Sequence, residues 1–277
     1  MNDATKISTS DYELLTSSNT LDRILSGTFY ITFLLILIVF EIIQRLAHTL
    51  DVLHFPQIGK RSYQQWAAIC LNKSLRQTIR VVGADLNTEF TSTLDPDKQY
   101  IFTANHQSFF DTFLLVTVLS KWNPKFVAKK ELGKWIPSIS FNLRTGGHAL
   151  IDRSNPRQAI PLLESFAKNA MGHGDSIIVF PEGTRSRDGS LLQYRISGFQ
   201  KIISTMSGVE VVPVAIDGSW RTSAKRNGVM PRGITIMIKI GAPIALEDDQ
   251  SAKDLLEKAR SFTEQCLIEE RKSQTKS

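Results

Sequence analysis

The chain is poor in cysteine. Among its 277 residues only Cys70 and Cys266 occur, far apart and without a C-x-x-C pair, so neither a disulfide framework nor a zinc knuckle is written here. That usage suits a reducing compartment. The zinc-protease pattern H-E-x-x-H and the G-x-S-x-G elbow of serine hydrolases are also missing. The net charge of +6 invites a nucleic-acid reading, but no helix-turn-helix, RRM or zinc-finger pattern is visible and the basic residues form no stripe. No internal repeat is found, and low complexity is confined to the polar tail 272–277.

What is present is enough apolar material for a substantial core, at 42% hydrophobic and 9% aromatic residues. The charge is uneven. Residues 1–23 hold Asp3, Asp11, Glu13 and Asp22 against Lys6 and Arg23, which leaves +8 on the remainder, a basic body suited to a membrane surface or a phosphorylated substrate.

The sharpest compositional break is 24–43, ILSGTFYITFLLILIVFEII, interrupted only by Glu41. This is about the length that crosses a bilayer's hydrocarbon core. An acidic, Ser/Thr-rich stretch precedes it and Arg45 follows, unlike a cleaved signal peptide, so an uncleaved anchor is expected, spanning or half-inserted. The flank 45–61 is more basic than the segment before the anchor, which for a spanning helix puts the body on the cytoplasmic side. Residues 62–80 carry Trp66, Ile69, Leu71, Leu75 and Ile79 at helical spacing, predicting an amphipathic helix that either packs on the body or lies in the interface with Trp66 at the headgroups. The expected organisation is a polar segment 1–23, an anchor 24–45, an amphipathic region 46–80 and a catalytic domain 81–277.

From residue 97 onward short apolar runs alternate with helical stretches. Strands are expected at 100–104, 125–128, 148–151, 176–180, 209–216 and 234–240, and helices at 109–120, 131–143, 156–171, 196–206 and 252–272. The fold class is therefore α/β, a mostly parallel sheet flanked by helices. Pro161 requires the 156–171 helix to begin later or to kink.

The chemistry sits where strands end. After 100–104 come Asn105, His106, Gln107, Ser108, Phe109, Phe110 and Asp111. Residues five apart do not meet on a continuous helix, but a loop ahead of one can fold His106 back to Asp111, where a carboxylate would orient the imidazole as a general base. The alternative is that both cap the helix. After 176–180 come Pro181, Glu182, Gly183, Thr184, Arg185, Ser186 and Arg187, a loop whose hydroxyls and guanidiniums suit a phosphate. The bland counterpart is a solvated turn with surface ion pairs.

Together these segments resemble the glycerophospholipid acyltransferase family, whose best-known members are 1-acylglycerol-3-phosphate acyltransferases. NHQSFFD is similar to the family's NHxxxxD motif and FPEGTRS to its phosphate-binding block. Between them lie AKKEL at 128–132 and GGHALIDR at 146–153, similar to the second block; VVPVAI at 211–216, centred on Pro213, resembles the fourth. The likeness covers about 79–245, with the blocks in the family's order.

The resemblance implies that His106 is the general base and Asp111 its orienting partner, acting on an acyl thioester. It implies that Glu182, Gly183, Thr184 and Arg185 hold the acceptor's phosphate with help from Arg153, and that Pro213 shapes the pocket. The chain departs from the family at Tyr194, Arg195, Ile196 and Ser197, where many members have Phe-Lys-Lys-Gly, and at His148, which is usually apolar and reads as a buried, hydrogen-bonded histidine or a second polar contact in the site. A Ser108 nucleophile lacks its elbow, and a metal site from His106, Asp111, His148 and Asp152 lacks any motif. No metal and no cofactor is expected.

The expected function is a membrane-bound O-acyltransferase that uses acyl-CoA or acyl-carrier protein to acylate 1-acylglycerol 3-phosphate, forming phosphatidate, with membrane lipids as partners and no nucleic acid. The alternative acceptors are glycerol 3-phosphate, another lysophospholipid or an amino-acid lyso-lipid. A thioesterase-like hydrolase is the alternative of a different class.

Overall fold

The Asn19 side chain accepts from the Asp22 amide and the Asp22 carboxylate accepts from the Asn19 amide, a capping box that starts helix α1, Thr20–Val52. The computed structural model describes residues 19–57, 61–152, 155–223, 228–246 and 251–274. Helix α1 is 33 residues long, and extends past the apolar run at both ends. It is long and apolar enough to cross a membrane. Yet it lies along the protein rather than projecting from it. Its buried stripe includes Ser26, Phe29, Leu37, Gln44 and Ala47, whereas Ile24, Ile31, Leu35, Ile38, Ile42 and Leu46 face outward.

Polar tethers fix that orientation along its length. Arg232 bonds the Asp22 carboxylate, the Met230 amide donates to Ser26 Oγ at 2.9 Å, and the Ser138 amide donates to the Glu41 carboxylate. At its C-terminal end Asp51 accepts from the amides of Tyr63 and Gln64, both at 2.8 Å. That carboxylate, with the Ser62 capping box, starts helix α2, Tyr63–Thr78, and folds it back on α1. Helix α2 buries Ile69, Leu71 and Leu75 against the body, while Trp66 stays partly exposed beneath the Arg61 guanidinium.

The remaining elements are β1 (Asp85–Phe90), β2 (Tyr100–Ala104), α3 (Asp111–Val118), β3 (Lys125–Lys129), α4 (Ile139–Thr145), β4 (Ala149–Ile151), α5 (Pro156–His173), β5 (Ile177–Val179), α6 (Ile196–Thr205), β6 (Glu210–Asp217), β7 (Thr235–Ile240) and α7 (Ala252–Gln274). Among the described residues the strands form one sheet, ordered β1-β7-β6-β2-β5-β3-β4. Every neighbouring pair is parallel except β6 with β7, so the mostly parallel α/β sheet read from the sequence is present.

Alternation on the strands divides the core in two. Phe102, Ile178 and Val212 face α1, α2 and α3; their neighbours Ile101, Ile177 and Val211 face α5, α6 and α7. The structure departs from the sequence reading at two places. Strand β1 was not foreseen; DLNTEF is polar and mostly exposed, and pairs as an edge with β7. The 131–143 helix is instead a 3-10 turn at Lys130–Gly133, an irregular loop and then α4, because Pro137 and left-handed residues at Trp135 and Ser138 interrupt it. Helix α5 begins at Pro156 under an Asn155 cap and continues through Pro161, so no later start is needed.

The two faces of α1 make different predictions. Phe29→Ala should cost about 3 kcal/mol of unfolding free energy in detergent, and Ile31→Ala less than about 0.5 kcal/mol. Equal losses in denaturant titrations would show that α1 does not pack on the body.

Candidate functional site

Strands β6, β2 and β5 are adjacent and parallel, so their carboxyl ends open onto one edge of the sheet, where ligands of open α/β folds collect. The segment leaving β2 is locked to β6 by its first residue. Asn105 Nδ2 donates to the Ile216 carbonyl and Asn105 Oδ1 accepts from the Ile216 amide, both at 2.8 Å in a buried pair. Helix α3 then starts at Asp111, so His106 lies on the loop ahead of it and folds back.

His106 Nδ1 is 2.9 Å from Asp111 Oδ2, and the same oxygen accepts from the amides of Gln107 at 2.7 Å and Ser108 at 2.8 Å. A carboxylate oxygen can only accept, so Nδ1 carries the hydrogen and Nε2 presents a lone pair. Asp111 is fully buried; the His106 side chain keeps 15% exposure and its ring stacks on Phe180 at 4.2 Å between centroids. The carboxylate orients the imidazole and closes the loop ahead of the helix; it does not cap the helix, whose first turn has no side-chain cap. Ser108 is fully buried, with its Oγ 2.6 Å from Thr222 Oγ1, which removes it from the reacting surface.

The loop after β5 folds against this one. The Ser186 amide donates to the His106 carbonyl at 2.8 Å. Gly183 has φ +68°, a left-handed conformation that glycine adopts without strain, and the side chain of Arg195 lies over its open face. Thr184 and Arg185 share a cavity lining with His106. Glu182 behaves differently. It is 1% exposed, and its carboxyl oxygens make no hydrogen bond of ordinary geometry among the described residues. Burial raises its pKa to about 8, with Asp111's charge adding to the rise and the amides of Leu192 and His106 opposing it. Arg153 lies outside the described residues.

The cavity measures about 870 Å³. Its lining includes His106, Phe180, Thr184 and Arg185 at the carboxyl ends of β2 and β5, Phe109, Phe113, Val116, Phe126 and Leu143, the face of α2 at Gln64 and Ala68, and Lys125 and Asp175 at the amino ends of β3 and β5. The wall there is polar. Lys125 Nζ sits 3.7 Å from Asp175, and burial moves the lysine down and the aspartate up. His148 lines the same cavity, so it is both a hydrogen-bonded histidine and a polar group of the cavity wall. Its Nδ1 accepts from the Phe126 amide at 3.2 Å, and burial with the Lys125 charge holds its pKa well below the usual range. Pro213 is absent from that lining. It is buried in β6 opposite Thr103 and packs on Gly241, where a β-carbon would come within 2.7 Å of the ring; it is neither a pocket wall nor a sheet edge.

Arg195, noted in the sequence only as a departure from the family pattern, approaches Gly183 from the start of α6. One further group escaped the sequence reading. Arg271, near the end of α7, bonds Asp217 through Nε at 3.0 Å and Nη2 at 2.8 Å and donates to the Gly189 carbonyl at 2.7 Å, joining the loops after β5 and β6. Gln107 reaches the same Asp217 at 3.3 Å.

The acyltransferase family model matches residues 79–217. The chain is 30% identical over 174 residues to a 1-acyl-sn-glycerol-3-phosphate acyltransferase of Chlamydomonas reinhardtii, covering 62% of this chain and 49% of that one. It is 32% identical to the enzyme of that name from Cocos nucifera, covering 60% and 51%, and 30% identical to that of Saccharomyces cerevisiae, covering 69% and 61%. The chain therefore spans about half the length of the two plant-lineage relatives. The crystal structure of the 1-acyl-sn-glycerophosphate (LPA) acyltransferase PlsC from Thermotoga maritima superposes with a TM-score of 0.67 at 24% identity, covering 92% of this chain and 96% of that one.

Glu182 makes a measurable prediction. In an unfolded chain it ionises near 4.5, but in the folded protein only near 8. The folded state thus binds the extra proton between those values, and its stability falls as pH rises through that window. Replacing Glu182→Gln should flatten the pH dependence of unfolding free energy between pH 5 and 8, by on the order of 3 kcal/mol. An unchanged slope would mean that Glu182 ionises normally.

Proposed function

The chain belongs to the acyltransferase family, and we propose that it moves a fatty acyl group from an acyl thioester to the free hydroxyl of 1-acylglycerol 3-phosphate, yielding phosphatidate. The observation that carries this reading is the His106–Asp111 pair, with His106 lining the same cavity as Thr184 and Arg185. An acyl thioester is already activated, so the protein must position a hydroxyl, accept its proton and exclude water. His106 Nε2 takes the hydroxyl proton as the oxygen attacks the thioester carbonyl. Asp111 holds the imidazolium that forms, and the proton passes to the departing thiolate of coenzyme A or acyl-carrier protein. No covalent enzyme intermediate is needed.

Arg185 and Thr184, with Gly183 leaving the backbone approachable, bind the acceptor's phosphate; Arg153 assists, and Arg195 supplies a cation where many family members have lysines. Glu182, buried and protonated below about pH 8, supports this loop from within instead of meeting the acceptor. The cavity takes the acyl chain. The chain works at a membrane: the outward apolar face of α1 enters one leaflet, and because α1 is tethered from Asp22 to Glu41 it lies in the interface without leaving the body.

Two experiments test this. His106→Ala should lower kcat by about 10² to 10⁴ with acceptor KM within a few fold; wild-type turnover in the folded variant would remove His106 from the chemistry. Arg185→Lys should raise KM for 1-acylglycerol 3-phosphate by about 10-fold to 100-fold, because an ammonium cannot copy a bidentate guanidinium, and should change little with a lysolipid whose phosphate is substituted. Equal losses on both acceptors would take the phosphate away from Arg185. Thioester consumption without any acceptor would replace transfer by hydrolysis.

A further inference from the structure

The loop between the 3-10 turn at Lys130–Gly133 and α4 has no part in the site just described. It contains Trp135, which is 96% exposed and has φ +71°, and Ser138, with φ +63°. A bulky aromatic residue in the left-handed region is strained, and such strain persists only where the surroundings impose it. Here the surroundings are visible. The Ser138 amide is held by Glu41 of α1, the Ile136 amide donates to Ser140 Oγ, and Ser140 Oγ donates to the Leu132 carbonyl. The loop is pinned at both ends while its largest side chain is left in the open.

Its neighbourhood is apolar and cationic at once. Glu41 and Arg45 of α1 line a cleft of about 490 Å³ together with Lys134, Trp135 and Arg144. Glu41 is occupied by Arg45 and by the Ser138 amide. Lys134 and Arg144 have no carboxylate partner among the described residues. Beside this stripe of α1 run the exposed Ile38, Ile42 and Leu46. Tryptophan next to uncompensated cations and continuous with an apolar helix face has the composition of a membrane interface, where the ring sits among headgroups and the cations meet anionic phosphates.

We propose that the loop carrying Trp135 is a second membrane-contacting element, inserting Trp135 into the leaflet that receives α1 while Lys134 and Arg144 engage anionic headgroups of that bilayer. This rests on the reading that the chain works at a membrane, and adds that the contact extends from α1 onto the catalytic body. The loop then adds a second point of contact beside the apolar face of α1, which together fix the rotation of the body on the bilayer.

The test uses the full-length protein and vesicles of neutral phosphatidylcholine, with or without about one-third anionic phosphatidylglycerol. Trp135→Ala should weaken partition to both kinds by on the order of 10-fold. Lys134→Gln should weaken it by about 5-fold on anionic vesicles only. Both variants should keep wild-type turnover on detergent-dispersed substrate. In a Cys70→Ser background, an environment-sensitive dye on Trp135→Cys should shift to the blue on vesicles and be quenched by lipids brominated near the headgroup. Wild-type protein that binds while Trp135→Ala binds equally and the dye stays water-like would overturn the loop's role and leave the membrane reading standing. Wild-type protein that binds neither vesicle would overturn both.

Discussion

One carboxylate oxygen carries the geometry of the catalytic edge. Asp111 Oδ2 gathers the His106 ring and the amides of Gln107 and Ser108, so the four residues between His106 and Asp111 close into a turn in which the imidazole has one tautomer and one orientation. Each of those donors would otherwise need water in a place where Asp111 is fully buried. The requirement explains the spacing. A shorter loop could not bring Nδ1 back, and a helix starting earlier would send the two side chains to different faces. The Asn105 clamp on Ile216 holds the other side of the same turn to the sheet.

Around that turn the structure builds a second layer. Asp217, at the end of β6, accepts from both Arg271 and Gln107, while Arg271 also holds Gly189 and Ser186 holds the His106 carbonyl. Three loops from three strands and the last helix are thereby tied into one network around the base. Arg271 is only partly exposed and its partner Asp217 is buried, so the pair makes close, two-point contact and its loss would leave a carboxylate unpaired in the interior. Glu182 is buried beside this network, and burial, with the Asp111 charge adding to it, raises its pKa against the opposing Arg260 charge.

Local chemistry was legible in the sequence and long-range closure was not. The strand before Asn105, the strand before Phe180 and the residues that follow each are contiguous motifs, and parallel pairing of β2 with β5 brings them together. By contrast, nothing near Arg271 announces that it will meet Asp217, fifty-four positions earlier, and Ser108 gives no sign of Thr222. Strand β1 stayed hidden because an exposed edge strand has no buried face to impose alternation on DLNTEF. The 131–143 stretch has helical composition, but Pro137 and the tether from Ser138 to Glu41 of α1 decide its path, and a tertiary contact outweighs propensity. The anchor was visible as an apolar run, while its one-sided packing depends on partners that are remote in sequence.

That packing links the anchor to the chemistry. The motif's interior positions are not spacers. Phe110 meets Phe29 and Phe33 of α1 edge-on, at 5.5 and 5.8 Å between ring centroids, while Phe109 stacks edge-on against Phe113 and lines the cavity beside His106. The same six-residue turn that orients the base is therefore wedged against the apolar helix on one side and open to the cavity on the other. Because α1 packs on Phe110, the His106 turn and the apolar helix share one rigid body. The distance between the His106 turn and the outward apolar face of α1 is then a property of side-chain packing, in which a buried aromatic cluster allows little play, and the segment that looked like a detachable anchor is a structural part of the domain that carries the candidate site.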